Sequence, residues 1–162
     1  MRDTIETDKE IFGFFGPYRF LSNFYVCAVH VFGFSWNSSE HAYQAVKTID
    51  VLEIQKVRDA KTPGEAKKLG KTLTIRPDWN DVRDRYMFEI VRAKFAQNAE
   101  IRSLLFATGN KNLVEANDWG DTYWGCEEVS RYGKNHLGRI LVFVRDELRN
   151  RIMFLEELKN ES

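Results

Sequence analysis

The chain of 162 residues has the length of one domain and can bury roughly two thirds of its unfolded surface around a single core. Its 24 basic and 24 acidic residues balance, which argues against a polyanion binder with a broad positive field but permits a local phosphate pocket. The two cysteines, Cys27 and Cys126, lack the spacing of a disulfide framework or a zinc site, so we expect no bound metal. The charged N-terminus lacks the apolar stretch of a signal peptide and no run approaches about 18 apolar residues, so we expect a cytoplasmic protein without a membrane span.

Residues 11–36 have the composition of strands, because β-branched and aromatic residues there are interrupted by glycines. This segment predicts a small antiparallel sheet. The stretch PYRFLSNFY within it is more polar at its centre, where Arg19, Ser22 and Asn23 have no obvious role in a turn alone. These three side chains are therefore candidates to face a pocket.

A helix start within residues 37–47 carries the most reactive set of side chains in the chain. Asn37 is the predicted N-cap and Glu40 falls at N3, so Glu40, Tyr43 and Gln44 share one face of the helix. Two interpretations are open: Glu40 is a reactive carboxylate, or it completes a capping box by bonding the backbone of Asn37. His41 lies about 100° around the helix from Glu40, which predicts a structural role for it.

Further helices are predicted along the chain. A capping box at residues 62–65, with proline at N1, opens a short helix that ends near Gly70. Residues 82–97 form an amphipathic pattern, residues 100–107 a further helix, and residues 137–158 a long closing helix with a thick apolar stripe. Together these segments predict an α+β, helix-dominated single domain over residues 1–162 with a small antiparallel β-sheet.

Residues 110–135 differ in composition from the helical segments around them. A short strand candidate, LVEA, is followed by DWGDTYWG and YGKN, which are dense in glycine, tryptophan, aspartate and asparagine. Such a polar and aromatic loop is poorly explained as core, and loops on a rigid scaffold carry function disproportionately. Carboxylates, aromatic plates and a few cations in separate clusters suit a ligand with a planar base, a sugar and a phosphate.

Several co-linear motifs resemble those of the NADAR family, which is named for its association with NAD and ADP-ribose. The matching segments are FLSNFY (residues 20–25), SSEHAYQAVK (38–47), TPGEAKKLG (62–70), RPDWNDVRDRYM (76–87), KFAQN (94–98), LLFATGNKNLVEAN (104–117), DTYWG (121–125) and GKNHLGRILVFVR (133–145). The resemblance spans a core of about residues 12–149.

The resemblance implies hydrolysis of an N-glycosidic bond without a cofactor. Some members cleave phosphorylated ribosylaminopyrimidine intermediates of riboflavin synthesis, releasing the pyrimidine and ribose 5-phosphate. Other members remove ADP-ribose from modified guanine in nucleic acid. The sequence does not select between a small ribosyl phosphate and ADP-ribosylated nucleic acid as the substrate.

Breaking such a bond develops positive charge on the sugar, which requires a nearby carboxylate and an activated water. We assign Glu40 as the general base that aligns water, and Asp121 as the group that stabilises the oxocarbenium ion or holds the ribose hydroxyls. The reverse assignment and a covalent sugar intermediate are both compatible with the sequence.

The remaining site candidates are side chains that stack on a base, bind phosphate or bond the sugar. Trp79 and Trp124 are the stacking candidates, although a helix-start anchor explains Trp79 equally well. Arg19 and Lys68 are the phosphate candidates, with Lys67 and Lys71 as alternatives to Lys68. The polar candidates for the sugar or base are Tyr43, Asn23 and Asn135, and Asn135 has N-cap chemistry as its alternative.

A rival hypothesis is a binding module that reads ADP-ribose or a nucleotide without turnover. A reader would tolerate Glu40→Gln and release no product, whereas an enzyme would lose turnover on that change and keep binding. An enzyme acting on ADP-ribosylated guanine in nucleic acid would bind with strong salt dependence, and the zero net charge counts against it.

Overall fold

The computed structural model of this chain describes residues 3–160. Its α-helices within that range are α1 (Ser39–Ala45), α2 (Val51–Arg58), α3 (Pro63–Leu69), α4 (Trp79–Gln97), α5 (Ala99–Ala107) and α6 (His136–Asn160), and Gly16–Leu21 forms a 3₁₀ helix. Its strands there are β1 (Ile5–Glu6), β2 (Glu10–Phe12), β3 (Val26–Val31), β4 (Phe34–Ser38), β5 (Asn112–Val114), β6 (Ala116–Asn117) and β7 (Cys126–Glu127). The predicted α+β, helix-dominated architecture is confirmed.

The strands form three small sheets, which corrects the prediction of one antiparallel sheet over residues 11–36. Within residues 11–36 the antiparallel pair is the hairpin of β3 and β4, closed by Phe32 and Gly33 with φ of 56° and 79°. β1 and β2 also pair in antiparallel orientation. β2 pairs in parallel with β5, Ile11 lying opposite Leu113, and β6 pairs in parallel with β7. The parallel partner of β2 comes some hundred residues later, so no local pattern indicates this pairing.

The start of α1 also differs from the prediction. β4 continues through Asn37 to Ser38, which pairs with Val26, and Ser38 is the N-cap that accepts a hydrogen bond from the His41 N–H at 3.3 Å. His41 therefore occupies N3 and Glu40 N2, so the capping box built on Asn37 is wrong. Glu40 is left without a capping role, and its side chain is bonded elsewhere.

The other helices follow the sequence signals in most respects. Thr62 caps α3 by accepting from the Glu65 N–H at 3.1 Å, and the helix ends before Gly70 as predicted. α4 begins at Trp79, earlier than expected, and α5 and the long α6 lie where their apolar patterns indicate. The sequence did not indicate α2, whose single buried residue is Val57.

The core lies where α4 and α6 cross the sheets, with α1 and α3 packed beside them. α4 contributes Lys94 to this interior, a fully buried lysine whose Nζ donates to the carbonyl oxygens of Phe20 at 2.6 Å and Ser22 at 2.9 Å. Burial disfavours its charge and lowers the pKa of Lys94 to about 8. This bond pair fixes the polar segment around residues 19–23 against the helix, beside the cleft described below.

None of the helices in the described part of the chain combines the length and the apolar character of a membrane span.

Candidate active site

A two-compartment cleft lies between α1, α3 and the loop that follows β6. Its wide compartment has a volume of about 400 Å³ and is lined by Phe14, Phe15, Arg19, Ser22, Phe24, Lys67, Glu115, Ala116 and Trp119. Its narrow compartment, of about 160 Å³, is lined by Asn23, Phe24, Glu40, Tyr43, Gln44, Lys47, Lys67, Met87, Glu115, Trp119, Asp121 and Trp124. Four residues border both spaces, which therefore adjoin: Phe24, Lys67, Glu115 and Trp119.

The predicted shared face of α1 is confirmed, because Glu40, Tyr43 and Gln44 all line the narrow compartment. Glu40 is buried, its backbone N–H donates to the Asn23 carbonyl at 3.0 Å, and its Oε1 accepts from Gln44 Nε2 at 2.6 Å. Burial raises the pKa of Glu40, while the Gln44 hydrogen bond and the positive charge of Lys67 oppose that rise. The carboxylate is thus held in one orientation by a donor on its own helix.

Gly70, just after α3, permits this arrangement. A Cβ built on Gly70 would lie 2.5 Å from Gln44 Cδ and closer still to Oε1, so only glycine leaves room for the Gln44 amide. The φ of Gly70 is −55°, an ordinary helical value. Space, and not backbone conformation, therefore requires glycine at the end of α3.

His41 faces away from the cleft, as predicted. Its Nε2 lies 3.1 Å from the Ala60 carbonyl oxygen and its Nδ1 lies 2.7 Å from Ser38 Oγ. Because a carbonyl can only accept, Nε2 carries the proton and Nδ1 accepts from the Ser38 hydroxyl. Burial lowers the pKa of His41, which favours this neutral form. The imidazole therefore ties the start of α1 to the chain before α3.

Asp121 lies in the loop between β6 and β7 and lines the narrow compartment. Its Oδ1 accepts from the backbone N–H groups of Tyr123 at 3.1 Å and Trp124 at 2.9 Å. Asn117 holds the loop in turn, since its Oδ1 accepts from the Asp121 N–H at 2.9 Å and its Nδ2 donates to the Asp121 carbonyl at 2.8 Å. Asp121 thus presents its second carboxylate oxygen from a rigid turn.

An aromatic wall closes one side of the narrow compartment. Trp124 Nε1 donates to the Tyr43 hydroxyl at 3.0 Å, and the two rings pack edge to face with centroids 5.4 Å apart. Burial raises the pKa of Tyr43, which stays a neutral phenol. Trp79 packs on Tyr43 with centroids 5.4 Å apart but lines neither compartment, so it supports the wall from outside.

The cations are arranged differently from the sequence prediction. Lys68 is exposed on α3 and lines neither compartment, whereas its neighbour Lys67 borders both and lies 4.7 Å from the Trp119 ring centroid. Successive helical residues point about 100° apart, so only one of the two lysines can face the cleft. Lys47 lines the narrow compartment and Arg19 the wide one.

The two asparagine candidates have different environments. Asn23 is buried and lines the narrow compartment; its Nδ2 donates to Met87 Sδ at 3.3 Å, and its Oδ1 has no partner among the described residues. Asn135 lies outside the cleft, where its Oδ1 accepts from the Glu115 N–H at 3.1 Å and its Nδ2 donates to the Leu113 carbonyl at 2.8 Å. Asn135 therefore positions the chain after β5, and Asn23 offers a free acceptor.

The sequence analysis missed Glu115, which follows β5 and borders both compartments. Burial, together with the negative charges of Asp121 and Glu40, raises the pKa of Glu115 to about 8. The signal was an acidic residue inside the apolar run LVEA, directly before the glycine- and tryptophan-rich loop.

The cleft thus brings together three carboxyl groups, two lysines and an aromatic wall. Carboxylates stabilise a sugar that develops positive charge, lysines bind phosphate, and aromatic faces bind a planar base. Within residues 3–160, no group of three His, Cys, Asp or Glu side chains is arranged to hold a metal ion. Fold and site together define an α+β protein with an acidic, aromatic cleft that also carries lysines.

Comparison with known proteins places the chain in a family. The family model described as the NADAR domain matches residues 11–149, and the chain belongs to this family. It is 41% identical over 139 residues to the N-glycosidase Npun_R5314 of Nostoc punctiforme, covering 83% of this chain and 88% of that protein. It is 35% identical over 150 residues to the N-glycosidase YbiA of Escherichia coli, covering 91% of each.

Two further comparisons agree with this assignment. The riboflavin biosynthesis protein VVA0006 of Vibrio vulnificus is 41% identical over 147 residues, which cover 86% of this chain but 40% of that longer protein. The NMR structure of E. coli YbiA superposes with a TM-score of 0.81 at 33% sequence identity, covering 92% of this chain and 90% of that chain. The resemblance recognised in the sequence motifs and the fold class are thereby confirmed.

Proposed function

We propose that this protein is an N-glycosidase that hydrolyses the bond between the anomeric carbon of a phosphorylated ribose and a nitrogen of an aminopyrimidine. The observation that carries the proposal is the convergence of Glu40, Glu115 and Asp121 on one narrow compartment with an aromatic wall. Relatives named N-glycosidase and riboflavin biosynthesis protein support both the reaction and a substrate among the intermediates of riboflavin synthesis.

Glu40 acts as the general base in this reaction. Gln44 occupies its Oε1, so Oε2 is the oxygen that accepts a proton from the attacking water. As the bond to nitrogen breaks, positive charge grows on the sugar ring, and the carboxylate of Asp121 stabilises that charge. The two N–H donors on Asp121 Oδ1 keep the carboxyl group fixed in the loop.

The substrate is positioned by the aromatic wall and the cations. Trp124, fixed by its hydrogen bond to Tyr43, provides the surface on which the pyrimidine packs. The unpartnered Oδ1 of Asn23 accepts from an amino group of the base or a sugar hydroxyl. Lys67, in place of Lys68, binds the phosphate where the two compartments adjoin, and Arg19 supplies a second cation in the wide compartment.

A second candidate function is removal of ADP-ribose from guanine in nucleic acid. The wide compartment of about 400 Å³ beside the narrow one favours it, because this space offers room for a longer ligand than a ribosyl monophosphate. Arg19 and the phenylalanines that line it suit a second phosphate and a second planar base. Both reactions break a bond from an anomeric carbon to nitrogen and would use the same carboxylates.

Mass spectrometry of the products separates these functions. The protein is incubated with a ribosylaminopyrimidine phosphate and, in parallel, with an oligonucleotide that carries ADP-ribosylated guanine. Release of the free pyrimidine and ribose 5-phosphate identifies the first function, and release of unmodified guanine with free ADP-ribose identifies the second. Binding of ADP-ribose with no product from either substrate would contradict both and identify a non-catalytic reader.

A further inference from the structure

We propose that Glu115 is the general acid that donates a proton to the departing nitrogen. This assignment rests on the proposed N-glycosidase function and adds a third role to the two carboxylates already described. A nitrogen anion of an aminopyrimidine is a poor leaving group, so cleavage is faster when an acid protonates that nitrogen as the bond breaks. The cleft therefore needs a proton donor as well as a base.

The backbone of Glu115 is held on both sides, which fixes where its side chain points. Its N–H donates to Asn135 Oδ1 at 3.1 Å and its carbonyl accepts from the Cys126 N–H at 2.8 Å. Gly125 packs closely against Glu115: a Cβ on Gly125 would overlap the carbonyl oxygen of Glu115 and lie 3.2 Å from the Cγ of Glu115. The side chain is thereby directed to the junction of the two compartments.

The three carboxyl groups differ in the hydrogen bonds they receive. Glu40 accepts from Gln44, and Asp121 accepts from two backbone N–H groups. No described residue donates a hydrogen bond to the Glu115 carboxyl group. Donors stabilise an ionised carboxylate, and Glu115 lacks this stabilisation, which suits its carboxyl group to hold a proton.

The charges around Glu115 reinforce this division. Its neighbours are Glu40 on α1 and Asp121 in the loop, which disfavour a further negative charge, and Lys67 on α3 and Lys94 on α4, which favour it. Burial and the two carboxylates outweigh the two lysines and raise the pKa of Glu115 to about 8. At neutral pH, Glu115 therefore carries the proton that the reaction requires.

The proton balance of the step is complete. The bond from the anomeric carbon to nitrogen breaks, its electron pair goes to nitrogen, and the Glu115 proton bonds to that pair. Water attacks the anomeric carbon and transfers one proton to Glu40. One water is consumed, the free base and ribose phosphate leave, and proton exchange with solvent restores protonated Glu115 and ionised Glu40.

Two substrates with different leaving groups test the assignment. One is the ribosylaminopyrimidine phosphate and the other is a 4-nitrophenyl riboside 5-phosphate, whose nitrophenolate departs without protonation. We expect Glu115→Gln to lower kcat on the aminopyrimidine substrate by about 10²–10⁴-fold and on the nitrophenyl substrate by less than about tenfold. Glu40→Gln loses both activities, and Glu100→Gln, on the exposed start of α5, loses neither.

The pH profile of the unmodified protein gives a second measurement that does not depend on the folding of a variant. An acid must be protonated, so kcat on the aminopyrimidine substrate should fall as the pH rises through about 8 and stay level on the nitrophenyl substrate. The assignment would be overturned if Glu115→Gln lowered kcat equally on both substrates. It would also be overturned if kcat of the unmodified protein fell at alkaline pH in the same way on both substrates. Absence of turnover in the unmodified protein would overturn the proposed function itself, and with it this role.

Discussion

Gly70→Ala should impair Glu40, the proposed general base, from a distance, through the side chain of Gln44. The new Cβ would lie 2.5 Å from Gln44 Cδ, so the buried amide must move and its 2.6 Å hydrogen bond to Glu40 is lost. A hydrogen bond to a charged group contributes about 1.5–3 kcal/mol, and about 1.4 kcal/mol corresponds to one pKa unit. The pKa of Glu40 should therefore rise further, by about one to two units.

The assay is the pH dependence of kcat for the unmodified protein and the variant. A base must be ionised, so its activity appears as the pH rises through its pKa, and this acidic limb should shift upward by about one to two pH units. Overpacking lowers the free energy of unfolding by about 1–3 kcal/mol. Alanine also restricts the unfolded chain more than glycine does, which offsets about 0.4–1 kcal/mol of that loss. We therefore expect a modest decrease in the melting temperature.

Gly64→Ala is the matched control, because Gly64 lies in α3, the helix that Gly70 follows, and its Cβ would meet only Thr62 Oγ1 at an ordinary 3.8 Å. It should leave the acidic limb unchanged. The double variant Gly70→Ala/Gln44→Ala should be no less active than Gln44→Ala, since both remove the same donor. A Gly70→Ala protein with an unshifted acidic limb would refute the idea that Gln44 controls the charge of Glu40.

Three further predictions follow from the same contacts. Lys67→Met should raise KM for a phosphorylated substrate by about 10–100-fold while Lys68→Met leaves it unchanged, and equal effects in steady-state kinetics would contradict the placement of Lys67 in the cleft. Glu115→Gln should be more stable than the unmodified protein, and the difference should grow between pH 4.5 and about 8, because the Glu115 carboxyl group ionises at a higher pH in the folded than in the unfolded chain. Urea titrations at several pH values would measure this difference. A difference that does not depend on pH would contradict the raised pKa of Glu115. Tyr43→Phe removes the acceptor of Trp124 Nε1 and should lower the free energy of unfolding by about 1–2 kcal/mol, which thermal or chemical denaturation would measure; an unchanged value would contradict a stabilising role for this bond.

Local signals predicted the parts of the fold that local chemistry decides. The Thr62 cap and the proline after it determine the start of α3, and the three- and four-residue spacing of Glu40, Tyr43 and Gln44 determines which face of α1 lines the cleft. The N-cap of α1 was misplaced because Asn37 and Ser38 are both good caps. The pairing of Ser38 with Val26 in the β-hairpin decides between them.

The parts that escaped prediction depend on contacts between distant segments. β2 and β5 pair in parallel across most of the chain, and no local pattern encodes a partner so far away. The same pairing, together with the hydrogen bond from the Glu115 N–H to Asn135, brings Glu115 to the cleft. The sequence alone therefore indicated Glu115 only as part of a strand. Lys67 and Lys68 are chemically alike, and only the packing of α3 shows which one faces the cleft.

We propose that the cleft performs hydrolysis with Glu40 as the base, and one variant tests this claim. The most direct measurement compares the unmodified protein with Glu40→Gln on the ribosylaminopyrimidine phosphate, following free pyrimidine by mass spectrometry and binding by calorimetry. We expect the variant to bind the substrate with similar affinity while its turnover falls by about 10²-fold or more. Equal turnover by the two proteins, or binding without turnover in the unmodified one, would contradict the claim.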